Sequence, residues 1–312
     1  MSAGANRDQT SPGRYGPRPM HPPSPRTINL LLALLCLLWG STWIVIREGL
    51  NDLPPFTSAG VRFALAGLVM VALALTIGRR ESGNKPPTYM WVMHGTLNFA
   101  ASSGIVYCTE TVLPSGLVAV LWGVYPMMMA ASGHFFLPGE RLAARQWAGF
   151  FVGFAGLLLL FLTDLQNFGS VGIPAAAILL ISPLVSVIGT TVVKKHGANT
   201  NSTLLNRNGM LLGAVLLLLC SLIFERDAEM NWSSAAILGI GYLALGGTVL
   251  TFGIYFWLLR YAPAYKLSLI AYVTPAIALF LGWIIDNEPI TIYTISGSAL
   301  IMGGILGVVR GK

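Results

Sequence analysis

The 312-residue chain is 54% hydrophobic and only 10% charged, whereas a soluble domain carries about 25% charged residues. With a mean hydropathy of +0.69, this composition excludes a water-soluble globular surface and places most of the chain in lipid. The net charge of +7 is scattered between apolar runs instead of gathered on one face, which argues against nucleic acid as a partner.

Residues Met1 to Arg26 contain six prolines, three glycines and four arginines. They have almost no large aliphatic side chains to offset the entropy of ordering, so this stretch is expected to be a disordered tail. The apolar run that follows, Ile28 to Ile46, is longer than the core of a secretory signal. Trp39 and Trp43 also stand where small cleavage-site residues would be needed, so the run is read as a retained first span.

A helix needs about 20 apolar residues to cross roughly 30 Å of hydrocarbon, and ten stretches approach that length. The first five are Ile28–Ile46, Phe56–Ile77, Met90–Tyr107, Gly116–Phe136 and Trp147–Leu162. The second five are Val171–Val193, Met210–Phe224, Ala235–Leu259, Ser268–Ile285 and Ile290–Val309. Alternate loops share a side, and with ten spans one side collects sixteen Lys and Arg residues while the other holds only Arg47 and Arg226. Cytoplasmic loops are the basic ones, so both termini are expected in the cytoplasm. Trp91, Trp147, Trp232, Trp257 and Trp283 fall near span ends, at the headgroup level indoles prefer, but Trp39, Trp43 and Trp122 lie deeper.

The fourth and fifth spans with their loops carry Pro114, Pro126, Glu140, Gly149 and Gly156, at spacings of 12, 14, 9 and 7. The ninth and tenth carry Pro263, Pro275, Glu288, Gly297 and Gly304, at 12, 13, 9 and 7. This register points to a duplicated five-helix unit, with residues 27–168 and 169–312 as the halves. Five is odd, so the second copy enters the membrane from the opposite side. The expected fold is an all-α integral membrane protein with ten transmembrane helices as two inverted five-helix repeats, an arrangement suited to alternating access.

Trp39-Gly40-Ser41-Thr42-Trp43, Pro54-Pro55 with Arg62-Phe63, Pro114-Ser115-Gly116, Pro126 and Gly139-Glu140-Arg141 resemble the EamA-type family of the drug/metabolite transporter superfamily. Ala262-Pro263-Ala264 and Tyr272-Val273-Thr274-Pro275 resemble its second repeat. The resemblance implies a ten-helix carrier for small metabolites in the plasma or inner membrane, with a central cavity lined by both halves and a lean toward export. The chain departs from the family pattern in its longer tail and in Asp286-Asn287-Glu288-Pro289.

Arg62 lies about 10 Å along its helix from the outer end, where a cation facing lipid would cost on the order of 2.5 kcal/mol or more. It is expected to face the interior, either holding an anionic group of a substrate or paired with Glu48 or Glu110. Trp39, Thr42, Trp43 and Ile46 share one helix face, which packs on a neighbour or walls a cavity. Tyr125 beside Pro126 and Tyr272 near Pro275 occupy related places, where a proline frees a carbonyl or makes a kink. Asn98, Tyr107, Ser182 and Tyr255 are polar positions within spans, suited to interhelical hydrogen bonds or to substrate. Glu140 and Glu288 fall in loops and read as capping residues, while His94 and His134 read as interfacial residues. Gly149 and Gly153 read as helix-packing positions.

The three cysteines, Cys36, Cys108 and Cys220, have neither metal-ligand nor disulfide spacing, and no cofactor or metal is expected. An intramembrane enzyme would need paired acids, a metal motif or an activated serine at depth. None is evident, so the chain reads as a transporter of small molecules such as amino acids or related compounds, not an enzyme. A channel, lipid flippase or sensor on the same scaffold is the alternative. The sequence fixes neither the substrate nor an oligomeric state.

Overall fold

The computed structural model describes residues 23–113, 115–160, 172–277 and 291–310. Every regular element among them is helical, and one isolated bridge pairs Asn84 with Thr200. Among the described residues six helices are long and apolar enough to cross a membrane: Pro25–Gly49, Pro55–Arg80, Leu117–Phe136, Ile173–His196, Ser202–Phe224 and Ser234–Leu258. Ala144–Leu159 and Ile295–Arg310 are shorter apolar helices. Large apolar side chains such as Leu30, Phe135, Phe224 and Leu238 face outward and exposed, as a surface solvated by lipid tails requires.

We label the helices in chain order. α1 is Pro25–Gly49 and α2 is Pro55–Arg80. The next rod runs from α3, Thr88–Met93, through a π-helical stretch, His94–Ala101, into α4, Ser102–Glu110. α5 is Ser115–Trp122, α6 is Tyr125–Phe136 and α7 is Ala144–Leu160. α8, Gly172–Leu179, leads into α9, Ile181–His196, and α10 is Ser202–Phe224. α11, Ser234–Ala244, passes through a second π-helical stretch, Leu245–Leu250, into α12, Thr251–Leu258. α13 is Ala264–Ser268, residues 270–277 continue it as α14, and α15 is Ile292–Arg310.

The helix starts carry their own signals. Ser24, Asn201 and Ser233 each accept a backbone N–H from the first turn that follows, at 3.2, 2.9 and 3.0 Å, while prolines open α1 and α2. Two sequence boundaries move as a result. Pro25 and Arg26, assigned to the tail, form the first turn of α1, with Ser24 as its cap, residues 1–22 of that tail lying outside the described residues. α10 begins at Ser202 rather than near Met210, because the polar run Asn206-Arg207-Asn208 hides a helical turn from a hydropathy count.

Two antiparallel pairs dominate the packing, each brought together by glycine. Along α2, Gly60, Gly67 and Gly78 sit against Leu218, Leu211 and Thr203 of α10. Along α7, Gly149 and Gly156 meet the backbone of Gly304 and Gly297 on α15. The four glycines of the sequence repeat thus face one another, where any side chain would hold the backbones apart. The remaining helices cross between these pairs and line a partly open cavity.

Candidate functional site

The cavity measures about 140 Å³ and is walled by α1, α2, the two rods that contain π turns, α5, α6, α9 and α13–α14. Trp39, Thr42, Trp43 and Ile46 reach it from α1, as their helical spacing requires. Trp39 packs against Phe252 and Tyr255 at ring-centroid distances of 5.4 and 5.5 Å. Trp43 approaches Trp122 at 6.4 Å, and Trp122 stacks on Tyr125 at 4.9 Å. The three deep indoles are therefore explained as one aromatic wall. Thr42 turns its hydroxyl back onto the Trp39 carbonyl at 2.8 Å.

Arg62 is buried and supplies the only formal charge on the wall among the described residues. Its Nε donates to Thr248 Oγ1 at 2.8 Å, Nη1 to the Tyr107 hydroxyl at 3.1 Å and Nη2 to the Gly247 carbonyl at 3.1 Å. The π turn makes this possible. Thr248 gives its own proton to the Leu243 carbonyl, five residues back, leaving its oxygen free to accept. Among the described residues no carboxylate pairs with Arg62. Glu48 is exposed near Asn51, and Glu110 is fully buried without a partner for either carboxyl oxygen. The pairing with Glu48 or Glu110 is accordingly absent from this conformation.

The other end of the cavity is polar and uncharged. Asn98 Oδ1 accepts from Ser186 at 2.9 Å and Thr190 at 3.2 Å, and its amide donates to His94 Nδ1 at 3.1 Å. His94 Nε2 faces Asn206 Oδ1 at 3.1 Å, so the partners assign the proton to Nε2. His94 is fully buried, which corrects its reading as an interfacial residue. His134 instead accepts the Leu142 N–H at its loop. Tyr125 and Tyr255 join hydroxyls at 3.1 Å, and Tyr125 also reaches Thr190 at 3.5 Å.

Of the ten positions singled out in the sequence, Trp39, Thr42, Trp43 and Arg62 line the cavity with Asn98, Tyr107, Tyr125 and Tyr255. Ser182 and Tyr272 do not. Ser182 stands one step behind the wall, accepting the Trp122 indole N–H at 2.9 Å and bonding to Ser102. Tyr272 lies in a separate core between α7 and α14, donating to the Phe150 carbonyl at 2.9 Å. Its proximity to Pro275 was misleading, because the residue 149 positions after Tyr125 is Thr274, and Thr274 lines the cavity. Ala119 with Ser268 and Trp122 with Ala271 repeat that offset on the wall. Sequence reasoning missed Ser186 and Thr190, although both fall on the face of Ser182 at helical spacing, and it missed Thr248, whose role depends on a π turn. Among the described residues no group of three or more His, Cys, Asp or Glu side chains converges to hold a metal ion.

Polar ties cross between helices at the ends of the bundle. Glu140 accepts the Ala264 N–H at 3.0 and 2.9 Å and sits 3.8 Å from Lys194. Lys194 donates to the Leu259 and Ala262 carbonyls at 2.7 and 2.8 Å. Glu140 therefore caps α13, in keeping with its loop position; Glu288 lies outside the described residues.

The EamA-like transporter family model matches residues 26–162 and again residues 173–310. The chain is 30% identical to the uncharacterized transporter YoaV of Bacillus subtilis (strain 168), over 89% of this chain and 96% of that protein. It is 28% identical to the uncharacterized inner membrane transporter YedA of Escherichia coli (strain K12), over 90% of each. A probable amino-acid metabolite efflux pump of the same organism is 25% identical over 90% of this chain and 94% of its own length. One solved crystal structure matches with a TM-score of 0.78 and 20% identity, over 92% of this chain and 98% of that one, which shows a shared fold. A chain of apolar helices matched twice along its length by one transporter family is a multi-pass membrane protein, and it belongs to the EamA-like transporter family.

Proposed function

We propose that this protein is a secondary carrier of small metabolites, working as an exporter, in which two five-helix halves of opposite orientation enclose the Arg62 cavity and expose it to each side in turn. The observation that carries this reading is the wall itself: positions 149 apart, Ala119 and Ser268, Trp122 and Ala271, Tyr125 and Thr274, face one cavity. Two copies of a unit that share a site can exchange conformations and so exchange the side on which the site opens.

Further support comes from contacts that recur between the halves. Arg47, in the last turn of α1, donates to the Glu110 carbonyl at the end of α4. Lys194, in the last turn of α9, donates to the Leu259 carbonyl just after α12. The π turns at His94–Ala101 and Leu245–Leu250 also fall in related places. In a ten-span topology with both termini cytoplasmic, the Lys194 and Arg47 ties lie at opposite faces, where a carrier needs its two gates. The efflux named for a distant relative agrees with the direction.

Purified protein in liposomes should catalyse saturable counterflow of a substrate taken from a metabolite panel. Arg62→Ala should abolish it while the variant stays monodisperse. Substrate turnover without vectorial movement, or conduction without saturation, would overturn the carrier reading. Labelling that places Arg80 and Lys194 on opposite faces of the membrane would overturn the topology.

A further inference from the structure

Arg62 has five N–H donors, of which three go to Thr248, Tyr107 and Gly247. One N–H on each terminal nitrogen is left over, a pair suited to the two oxygens of a carboxylate. The three internal contacts fix the guanidinium, so little side-chain freedom is lost when an anion docks. Around it the wall is aromatic, from Trp39, Trp43, Trp122 and Phe252.

The polar groups at the other end are neutral amides and hydroxyls, none of which can counter a full positive charge. Asn98 Oδ1 takes two hydroxyl protons, the Tyr125 and Tyr255 hydroxyls bond to each other, and no acid stands on the wall among the described residues. An ammonium group brought here would be desolvated beside a guanidinium with no carboxylate to receive it, an arrangement that costs heavily in a buried site. The volume of about 140 Å³ is close to that of an apolar cavity of about 150 Å³ that admits benzene. It suits one ring or a branched chain with a short acidic arm.

We infer that the cavity selects small monocarboxylates with a single aromatic or branched apolar body, bound as anions by Arg62, and rejects their amine-bearing counterparts. This names the substrate class of the proposed carrier and rests on that reading. Among the described wall residues a single carboxylate on Arg62 brings the formal charge to zero, whereas an amino acid adds a cation that no residue of the wall can counter.

Three compounds that share a phenyl ring separate the possibilities: phenylacetate, phenylalanine and phenethylamine. With the full-length protein in detergent, radiolabelled phenylacetate should bind saturably and raise the unfolding midpoint. Phenylalanine should compete at least tenfold more weakly, and phenethylamine should not compete. Arg62→Gln should weaken phenylacetate binding tenfold or more, and Arg62→Lys, which keeps the charge but loses the fork, should fall between. If Arg62→Gln does not fold, the competition series on the unaltered protein decides alone. Absence of phenylacetate binding, equal competition by either amine, or wild-type affinity in folded Arg62→Gln would overturn the inference. Liposome counterflow separates this failure from that of the carrier: bound phenylacetate that never exchanges sinks the carrier reading, while Arg62-dependent counterflow of a different solute sinks only the substrate class.

Discussion

Glu81 and Glu225 perform the same task at opposite ends of the α2–α10 pair. Glu81, just past α2, accepts the backbone N–H and the hydroxyl of Ser202 at 2.9 and 2.7 Å, and those of Thr203 at 3.0 and 2.7 Å, at the start of α10. Glu225, just past α10, accepts the Phe56 N–H at 2.6 Å and both the N–H and hydroxyl of Thr57 at 2.8 Å, at the start of α2. Each carboxylate satisfies N–H groups that the opposing helix leaves unpaired in its first turn, and meets the positive end of its dipole. Glu81 alone also holds Arg260, at 2.6 Å. Glu225→Ala should therefore cost about 2 kcal/mol, in the range of charge-assisted hydrogen bonds. Glu81→Ala should cost more, about 3 kcal/mol, because it also removes the carboxylate that faces the Arg260 guanidinium, which keeps its bond to the Ser82 carbonyl. Thermal unfolding in detergent ranks the two, and equal midpoints would show that the Arg260 pair adds nothing.

Neighbouring glycines on α15 give a sharper packing test. A Cβ on Gly304 would meet Gly153 N at 2.5 Å and the Gly149 carbonyl at 2.6 Å, all backbone atoms that have nowhere to move. A Cβ on Gly303 meets nothing within 4 Å. Gly304→Ala should separate α7 from α15 and cost about 1 to 3 kcal/mol, while Gly303→Ala should gain up to about 1 kcal/mol from helix propensity. Midpoints that move in the same direction for both substitutions would refute the α7–α15 contact.

Much of this arrangement was legible in the sequence because lipid leaves the chain few choices: apolar length defines helices, and glycine defines where they touch. The repeat glycines Gly149, Gly156, Gly297 and Gly304 were visible as a pattern, and they meet in space. The α1 face from Trp39 to Ile46 was legible for the same reason, since helical spacing fixes direction. What escaped depends on departures from ideal geometry. Thr248 reaches Arg62 only because a π turn shifts the face of its helix, and no residue pattern announces that turn. Tyr272 falls in another core because closeness to a proline is not equivalence between repeats, and the constant offset points to Thr274.

Lys194 offers a way to loosen one end of the bundle without touching the cavity. Its ammonium joins α9 to the Leu259 and Ala262 carbonyls and stands beside Glu140. Lys194→Met keeps the aliphatic stem and removes all three ties. In a chain whose native cysteines are replaced by alanine, Ala271→Cys, on the cavity wall, should then react several-fold faster with an impermeant maleimide applied from the side of Lys194. Unchanged labelling would mean that this contact does not guard the cavity.

Glu110 and Glu140 are both buried acids, at 0% and 5% exposure, yet only one is used. Both Glu140 oxygens accept the Ala264 N–H, and Lys194 stands near; neither Glu110 oxygen has a partner. Removing a fully bonded buried group strands its partners, whereas removing an unbonded one relieves a desolvation cost. Glu140→Leu should lower stability by about 3 to 5 kcal/mol, and Glu110→Leu should leave the unfolding midpoint unchanged or raise it. Glu110 nevertheless ends the helix that presents Tyr107 to Arg62, an expensive place to keep an idle carboxyl. If Glu110→Leu is stable but slow in counterflow, the acid acts in another stage of the transport cycle, meeting Arg62 or Arg47 when the cavity opens the other way. If the variant is destabilised as much as Glu140→Leu, the carboxyl has a structural partner in the folded state and that role is lost.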